Sequence, residues 1–308
     1  MTSTPLMPAP PQPLRQKPGG HRSALHLLTA QPQRSLPHAT PEQSLSSAAW
    51  VDQLSLQALQ HRAVHHPYLQ ALAAGQLPDL RFALEDFARH YYGYSAHFPR
   101  YLTALISRLE DPAHRRALLE NLTEEGGLYE QDELDALAAI GIPAEWIVGV
   151  PHPELFQRFR RALGVNTGAD EQDHIEVLCW REMFLAAITN GSAAEAVGAL
   201  GLGTETIVQT LYQPFVLALE RLGSVDPRDA VFFPLHTAVD DHHQATLKQV
   251  AVAYAQDSQG RADLAKGMVK ALNLRDAFWN WLHQRALDPE RARQMESSIS
   301  GISGLEAS

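Results

Sequence analysis

The chain has 308 residues, 45% of them hydrophobic, enough for one large domain or two small ones with a substantial core. A formal net charge of -10 argues against nucleic acid and anionic membrane surfaces as partners. The lone cysteine, Cys179, excludes a disulfide framework and any multi-cysteine zinc or iron–sulfur site, and a reducing, cytoplasmic location fits it.

Residues 1–44 differ in composition from the rest. Nine of the twenty prolines fall between Pro5 and Pro41, and no acidic residue precedes Glu42. This composition predicts a disordered leader. A basic, acid-poor segment also matches a targeting peptide, but the continuous apolar stretch of a secretory signal is missing. The organisation expected is a leader over 1–44, a helical domain over 45–290 and a flexible tail over 291–308.

From Trp50 onward apolar residues recur at three- and four-residue steps, as in Leu84, Phe87, Tyr91, Tyr94 and Phe98. Residues 79–109 read as one long helix or two broken near Pro99. Pro112 opens a helix that Gly126-Gly127 stops after Glu125. Residues 128–150 read as loop and short helix, with Gly141 and Pro143 as punctuation. Pro153 opens the next helix, ending near Gly164. A helix over 170–189 closes at Asn190-Gly191, Ser192 caps another, and Thr204 caps one running to Leu222. Further helices are expected at about 230–255 and 260–286. No strand-type alternation, phosphate loop, repeat or membrane-length apolar run appears. The pattern predicts an all-α bundle of seven to nine helices.

The motif that carries chemistry is Phe232-Phe-Pro-Leu-His-Thr-Ala-Val-Asp-Asp-His-His243. It places His236, Asp240 and His243 at i, i+4 and i+7, on one helix face. Surface helices often carry such residues by chance. Here the stripe shares its face with Val239, Leu247 and Val250, and polar groups inside an apolar face need partners or a metal. Asp241 and His242 point away from it. One helix cannot complete a redox metal site, so carboxylates in apolar or Gly-rich surroundings are of interest. Glu124-Glu125 and Glu205 stand out, although an acid just after a Thr cap also complements the helix dipole. His152 precedes a helix and reads equally as a capping residue.

Taken together, the blocks Tyr91-Tyr-Gly-Tyr-Ser-Ala-His-Phe-Pro-Arg-Tyr101, Glu120-Asn-Leu-Thr-Glu-Glu-Gly-Gly127, His152-Pro-Glu-Leu-Phe156, Leu200-Gly-Leu-Gly-Thr-Glu205 and His236-x3-Asp240-x2-His243 resemble the heme-oxygenase-like di-iron oxidases and oxygenases, the iron-containing redox enzymes. The resemblance spans about residues 80–255 and implies a heme-oxygenase-like helical bundle. The family's ligand order, Glu, His, Glu, His, Asp, His, maps onto Glu125, His152, Glu205, His236, Asp240 and His243. Glu124 is a one-residue alternative to Glu125, and Glu85 or His97 could add a further ligand. Twenty-six residues separate Glu125 from His152, more than in many relatives, so an insertion over 126–151 must loop out between them. With Trp146 and Ile147 it could shape a substrate pocket.

The resemblance implies two Fe(II) ions, O2 as co-substrate and a bridging peroxide that oxidises a bound substrate. N-oxygenation, desaturation or cyclisation, oxidative decarboxylation and C–C cleavage all occur in the family, on small amine, carboxylate or amino-acid-like substrates. Arg100 and Arg181 are candidate carboxylate partners. An external electron donor is compatible with this chemistry, and dimers are common among the relatives. Two other readings compete: a cofactor-independent oxidase or hydrolase of the same fold, and a metal-free helical interaction module. The module reading predicts that the six candidate ligands lie exposed and far apart.

Overall fold

The structure is a computed structural model that describes residues 45–165 and 173–303, with side chains except those of 239–242 and 297–303. The leader expected over 1–44 lies outside the described residues. So do residues 166–172, which include the start expected for the helix over 170–189.

The described chain is all-α, as its periodicity predicts, with no strand among the described residues. It begins with α1 (Ser47–Leu59), α2 (Pro67–Ala74), α3 (Leu80–Ser95) and α4 (Phe98–Ile106). The expected break falls at Ala96-His97, and Pro99 occupies the first turn of α4. The chain continues through α5 (Pro112–Glu125), α6 (Gln131–Ala139), α7 (Ala144–Ile147) and α8 (His152–Ala162). It closes with α9 (Ile175–Asn190), α10 (Ala193–Val197), α11 (Val208–Leu222), α12 (Phe232–Tyr254), α13 (Ser258–Leu287) and α14 (Pro289–Ser303). Fourteen helices among the described residues exceed the seven to nine expected, because short helices form where loops were read and longer runs divide.

Caps set several starts. Asp79 accepts from Phe82 N at 2.9 Å, Asp111 from Ala113 N at 2.7 Å and Ser192 from Glu195 N at 3.1 Å. The expectation fails at Thr204. Its hydroxyl donates to Ala199 O at 3.1 Å and caps nothing. Between α10 and α11 the chain makes a π-helical turn, Gly198–Leu202, then a 3-10 turn, Glu205–Ile207. The cause is the close approach of α13: a Cβ on Gly198 would lie 2.1 Å from Leu264 O, and one on Gly267 would lie 1.9 Å from Glu195 O. Glycines at this crossing let the backbones touch. The segment turns Glu205 into the protein, so that it does not serve as a surface acid at a helix start.

An aromatic layer joins α3, α8, α11, α12 and α13. The Phe87 ring lies 4.1 Å from Phe215 and 4.8 Å from Tyr91, while Tyr91 stacks parallel to Trp279 at 6.1 Å. Phe156, Phe233 and Trp279 are fully buried with them. Each such ring contributes about 2–3 kcal/mol by burial. The layer fixes α3, α8, α11 and α12 around one interior space, which is where the candidate ligands point.

Of the tail expected over 291–308, residues 304–308 lie outside the described residues, and 291–303 fall in α14, which begins at Pro289. Its Glu296 bonds Arg285 Nη2 at 2.5 Å and lies 3.3 Å from His90 and 2.9 Å from His174. Arg285 in turn makes a paired contact with buried Asp86, at 2.8 and 2.7 Å. This ion network ties the helix to α3, α9 and α13. No helix among the described residues is long and apolar enough to cross a membrane.

Candidate metal centre

The insertion over 126–151 closes on itself. Gly149 N donates to Gly127 O at 2.8 Å, and Gly127 takes φ +82° with Val150 pressed against it. A Cβ at Gly127 would lie 2.6 Å from Val150 N and O. The end of α5 and the start of α8 therefore meet, and Glu125 Oε2 lies 3.2 Å from His152 Nδ1. Trp146 and Ile147 do not line the space beside these ligands; Ile147 is buried in the core. What the insertion brings to the site is Tyr129, whose hydroxyl shares a 2.8 Å hydrogen bond with His152 Nε2.

Among the described residues, ligand atoms of Glu125, His152 and His236 all fall within 4.8 Å of one another. His236 Nδ1 bonds its own helix at Phe232 O, 2.7 Å away. A carbonyl only accepts, so Nδ1 carries the proton and Nε2 keeps a free lone pair. His152 Nδ1 is buried without a hydrogen-bond partner, since Glu125 is close enough for an ion pair but out of line for a hydrogen bond. A buried orphan nitrogen between a carboxylate and a second imidazole is what a metal-ligating histidine looks like before the metal binds.

The second part of the cluster is Glu124 with His243, whose Nε2 and Oε2 atoms are 2.7 Å apart. Both neighbours at the end of α5 are thus buried and turned inward: Glu125 faces His152, and Glu124 faces His243. Glu205 lines a cavity shared with Glu125, His152 and His236. Glu125, His152, Glu205 and His243 are buried and His236 is partly so, contrary to what the interaction-module reading predicts. Asp240 belongs to α12, but its side chain, like those of Val239, Asp241 and His242, lies outside the described residues.

Histidines and Arg275 are the cations that bear on the carboxylates of this cluster. Burial opposes ionisation of Glu125, yet His152, His236 and His243 pull its pKa down to about 2. Burial raises Glu205 to about 7, with the Glu125 charge adding to the effect. Burial and then the His152 charge push His236 down to about 3. His243 rises to about 9 despite burial, because Glu124 and then Glu205 hold its proton. Burial and the neighbouring carboxylates thus favour the protonated forms of Glu205 and His243. Such a set of oxygen and imidazole donors, with no thiolate, fits iron or manganese. Cys179 is exposed.

Other candidates lie elsewhere. Glu85 pairs with Arg81 at 2.7 Å. His97 stands at the start of α4 beside Arg100 and Arg181. Arg181 is engaged by Asp173 and Glu182, and Arg100 is exposed. Three residues not singled out by spacing do belong to the site: Tyr129, Tyr212 and Arg275. Tyr212 shares a 2.8 Å hydrogen bond with Tyr91, and its ring meets His236 edge-on at 5.6 Å.

Fold and donor cluster together define a heme-oxygenase-like protein with a candidate metal centre. The chain belongs to the iron-containing redox enzyme family, whose model matches residues 85–276 and so includes every predicted ligand. It is 24% identical over 217 residues to a 4-aminobenzoate synthase of Chlamydia muridarum, covering 70% of this chain and 83% of that one. It is also 24% identical over 238 residues to a 4-chloro-allylglycine synthase of Streptantibioticus cattleyicolor, covering 76% and 83%. Among solved structures, a Cadd-like protein of unknown function from Nostoc punctiforme superposes with a TM-score of 0.62 at 17% identity, covering 79% of this chain and 99% of that one. A Shewanella denitrificans domain of unknown function with a heme-oxygenase-like fold gives 0.56 at 11% identity, covering 76% and 89%.

Proposed function

We propose that this protein is a non-heme di-iron enzyme that uses O2 to oxidise a small amino-acid-like, amine or carboxylate substrate in specialised metabolism. The observation that carries this reading is the meeting of Glu125, His152 and His236 within 4.8 Å, beside Glu205 and the Glu124–His243 pair. In the proposal Glu125, His152 and His236 hold one iron. Glu205, His243 and Asp240 hold the other, and Glu124 is a close alternative for it. The names of the two relatives support this class of small molecule, because the products they name, 4-aminobenzoate and 4-chloro-allylglycine, each carry an amino group and a carboxylate.

Two Fe(II) ions held together would supply the electrons that activate O2. The chain's own part is to place and protect them. Tyr129 and the Phe232 carbonyl orient the imidazoles of His152 and His236 through their second nitrogens. Phe98, Val208 and Phe232 give the cavity apolar walls that limit water. Glu205 and His243 must give up protons for metal to enter, so loading is coupled to deprotonation at those two side chains.

The test is to load the protein anaerobically with Fe(II), mix it with O2 and record visible absorption. A transient band in the wild type that is lost in His243→Ala supports the reading. Identical, featureless traces from both proteins would favour the cofactor-independent alternative.

A further inference from the structure

Arg275 extends from α13 to the wall of the same cavity that Glu125, His152, Glu205 and His236 line. It is 2% exposed and makes no salt bridge among the described residues, although its charge acts across the cavity to lower Glu205. Its Nε has no hydrogen-bond partner. Nη1 and Nη2 make only long bonds, 3.3 Å to the Tyr91 hydroxyl and 3.5 Å to the Tyr94 hydroxyl. The guanidinium also rests against the Tyr94 and Trp180 rings, at 5.4 and 5.3 Å. Buried Arg285, by contrast, has both oxygens of Asp86.

A guanidinium cannot discharge by losing its proton, so a buried one needs an anion. Cation–π contacts meet only part of that need. Glu205 shares the cavity but belongs to the proposed iron site. The cavity is small, about 30 Å³, room for a compact group of a few heavy atoms. The planar fork of an arginine matches a carboxylate in both shape and charge.

We propose that Arg275, with the Tyr91 and Tyr94 hydroxyls beside it, anchors the substrate's carboxylate, so that the substrate is a small carboxylic acid held with its remaining atoms toward the histidine and glutamate cluster. That this acid is oxidised there rests on the proposed function; that the site selects a carboxylate does not.

The experiment uses the full chain stripped of metal by a chelator, so that iron cannot itself hold the acid. Binding of acetate against acetamide is measured by calorimetry and by thermal shift. The wild type should prefer the acid by about tenfold or more, the scale of a buried charge-assisted hydrogen bond. Arg275→Gln should abolish that preference and Arg275→Lys should keep part of it, while iron uptake by both variants stays at the wild-type level. If Arg275→Gln does not fold, the wild type and Arg275→Lys decide. Equal treatment of acid and amide by the wild type, whether both bind or neither, overturns the proposal, and so does an undiminished preference in Arg275→Gln. Acid preference without iron uptake would leave the anchor standing and remove the di-iron reading. Iron uptake without acid preference would do the reverse.

Discussion

Glu125 Oε2 and His152 Nδ1 lie 3.2 Å apart although twenty-six residues separate them in the chain. Closure of the intervening loop at Gly127 makes this contact, and the first prediction follows from it. Gly127→Ala introduces a Cβ at φ +82°, 2.6 Å from the Val150 backbone. Backbone cannot swing aside as a flexible side chain can, so α5 and α8 must separate. We expect a loss of more than about 1 kcal/mol in urea unfolding, together with weaker iron binding. Unchanged stability and iron affinity would show that the loop does not set the Glu125–His152 distance.

Tyr129 holds His152 from behind, at Nε2, while Nδ1 faces Glu125. Tyr129→Phe removes the hydroxyl and keeps the ring. Loss of such an outer partner typically weakens metal binding about 10- to 100-fold. Anaerobic Fe(II) titration should show the first iron weakened on that scale with little change in melting temperature. An equal loss of both would indicate a packing role.

Metal loading should release protons. His243, held near 9, and Glu205, held near 7, bind metal only when deprotonated. Raising the pH from 6 to 9 should therefore strengthen binding, and a weakly buffered titration at pH 7 should acidify as metal is added. Constant affinity across that range would contradict the account.

The network on α14 gives a pH prediction away from the site. Burial opposes ionisation of Asp86 and Glu296, but Arg285 and His90 lower Asp86, while His174 and His90 lower Glu296. Burial lowers His90, and Asp86 and Glu296 more than restore it, to above its ordinary value of 6.5. The two acids thus stabilise the fold above their unfolded pKa values, near 4, and lose that contribution as pH falls through their lower folded values. His90 contributes fully below 6.5 and loses its contribution as pH rises through its raised folded value. Thermal stability should be highest between these limits, and Glu296→Gln should flatten the profile on both sides. Asp86→Ala, which removes the paired contact of buried Arg285 and leaves it Glu296, should cost about 3 kcal/mol. A Glu296→Gln profile parallel to that of the wild type would remove the network as its cause.

Much of this arrangement was legible in the chain itself. Helix periodicity, Pro112 at a first turn and the Ser192 cap placed most elements, because these signals are local. The facing of His236 and His243 follows from i, i+7 spacing alone. Glu124-Glu125 and Glu205 stood out by their apolar or Gly-rich surroundings, but joining them with His152 as ligands came from the order of motifs in a resembling family, since each lies on a different element. Tyr129 and Arg275 gave no local signal: one joins the site through loop closure, the other through a helix remote in sequence. Arg100 and Arg181 were the candidate carboxylate partners, yet Arg181 is bound by Asp173 and Glu182 and Arg100 is exposed.

Counting iron tests the central claim most directly. Fe(II) is titrated anaerobically into metal-free wild type, His152→Ala and His243→Ala, and bound iron is measured after removal of excess. The account predicts two irons per wild-type chain and about one in each variant, because each substitution removes a ligand from a different half of the cluster. A wild type that binds no more than one iron, or variants that retain two, would contradict it.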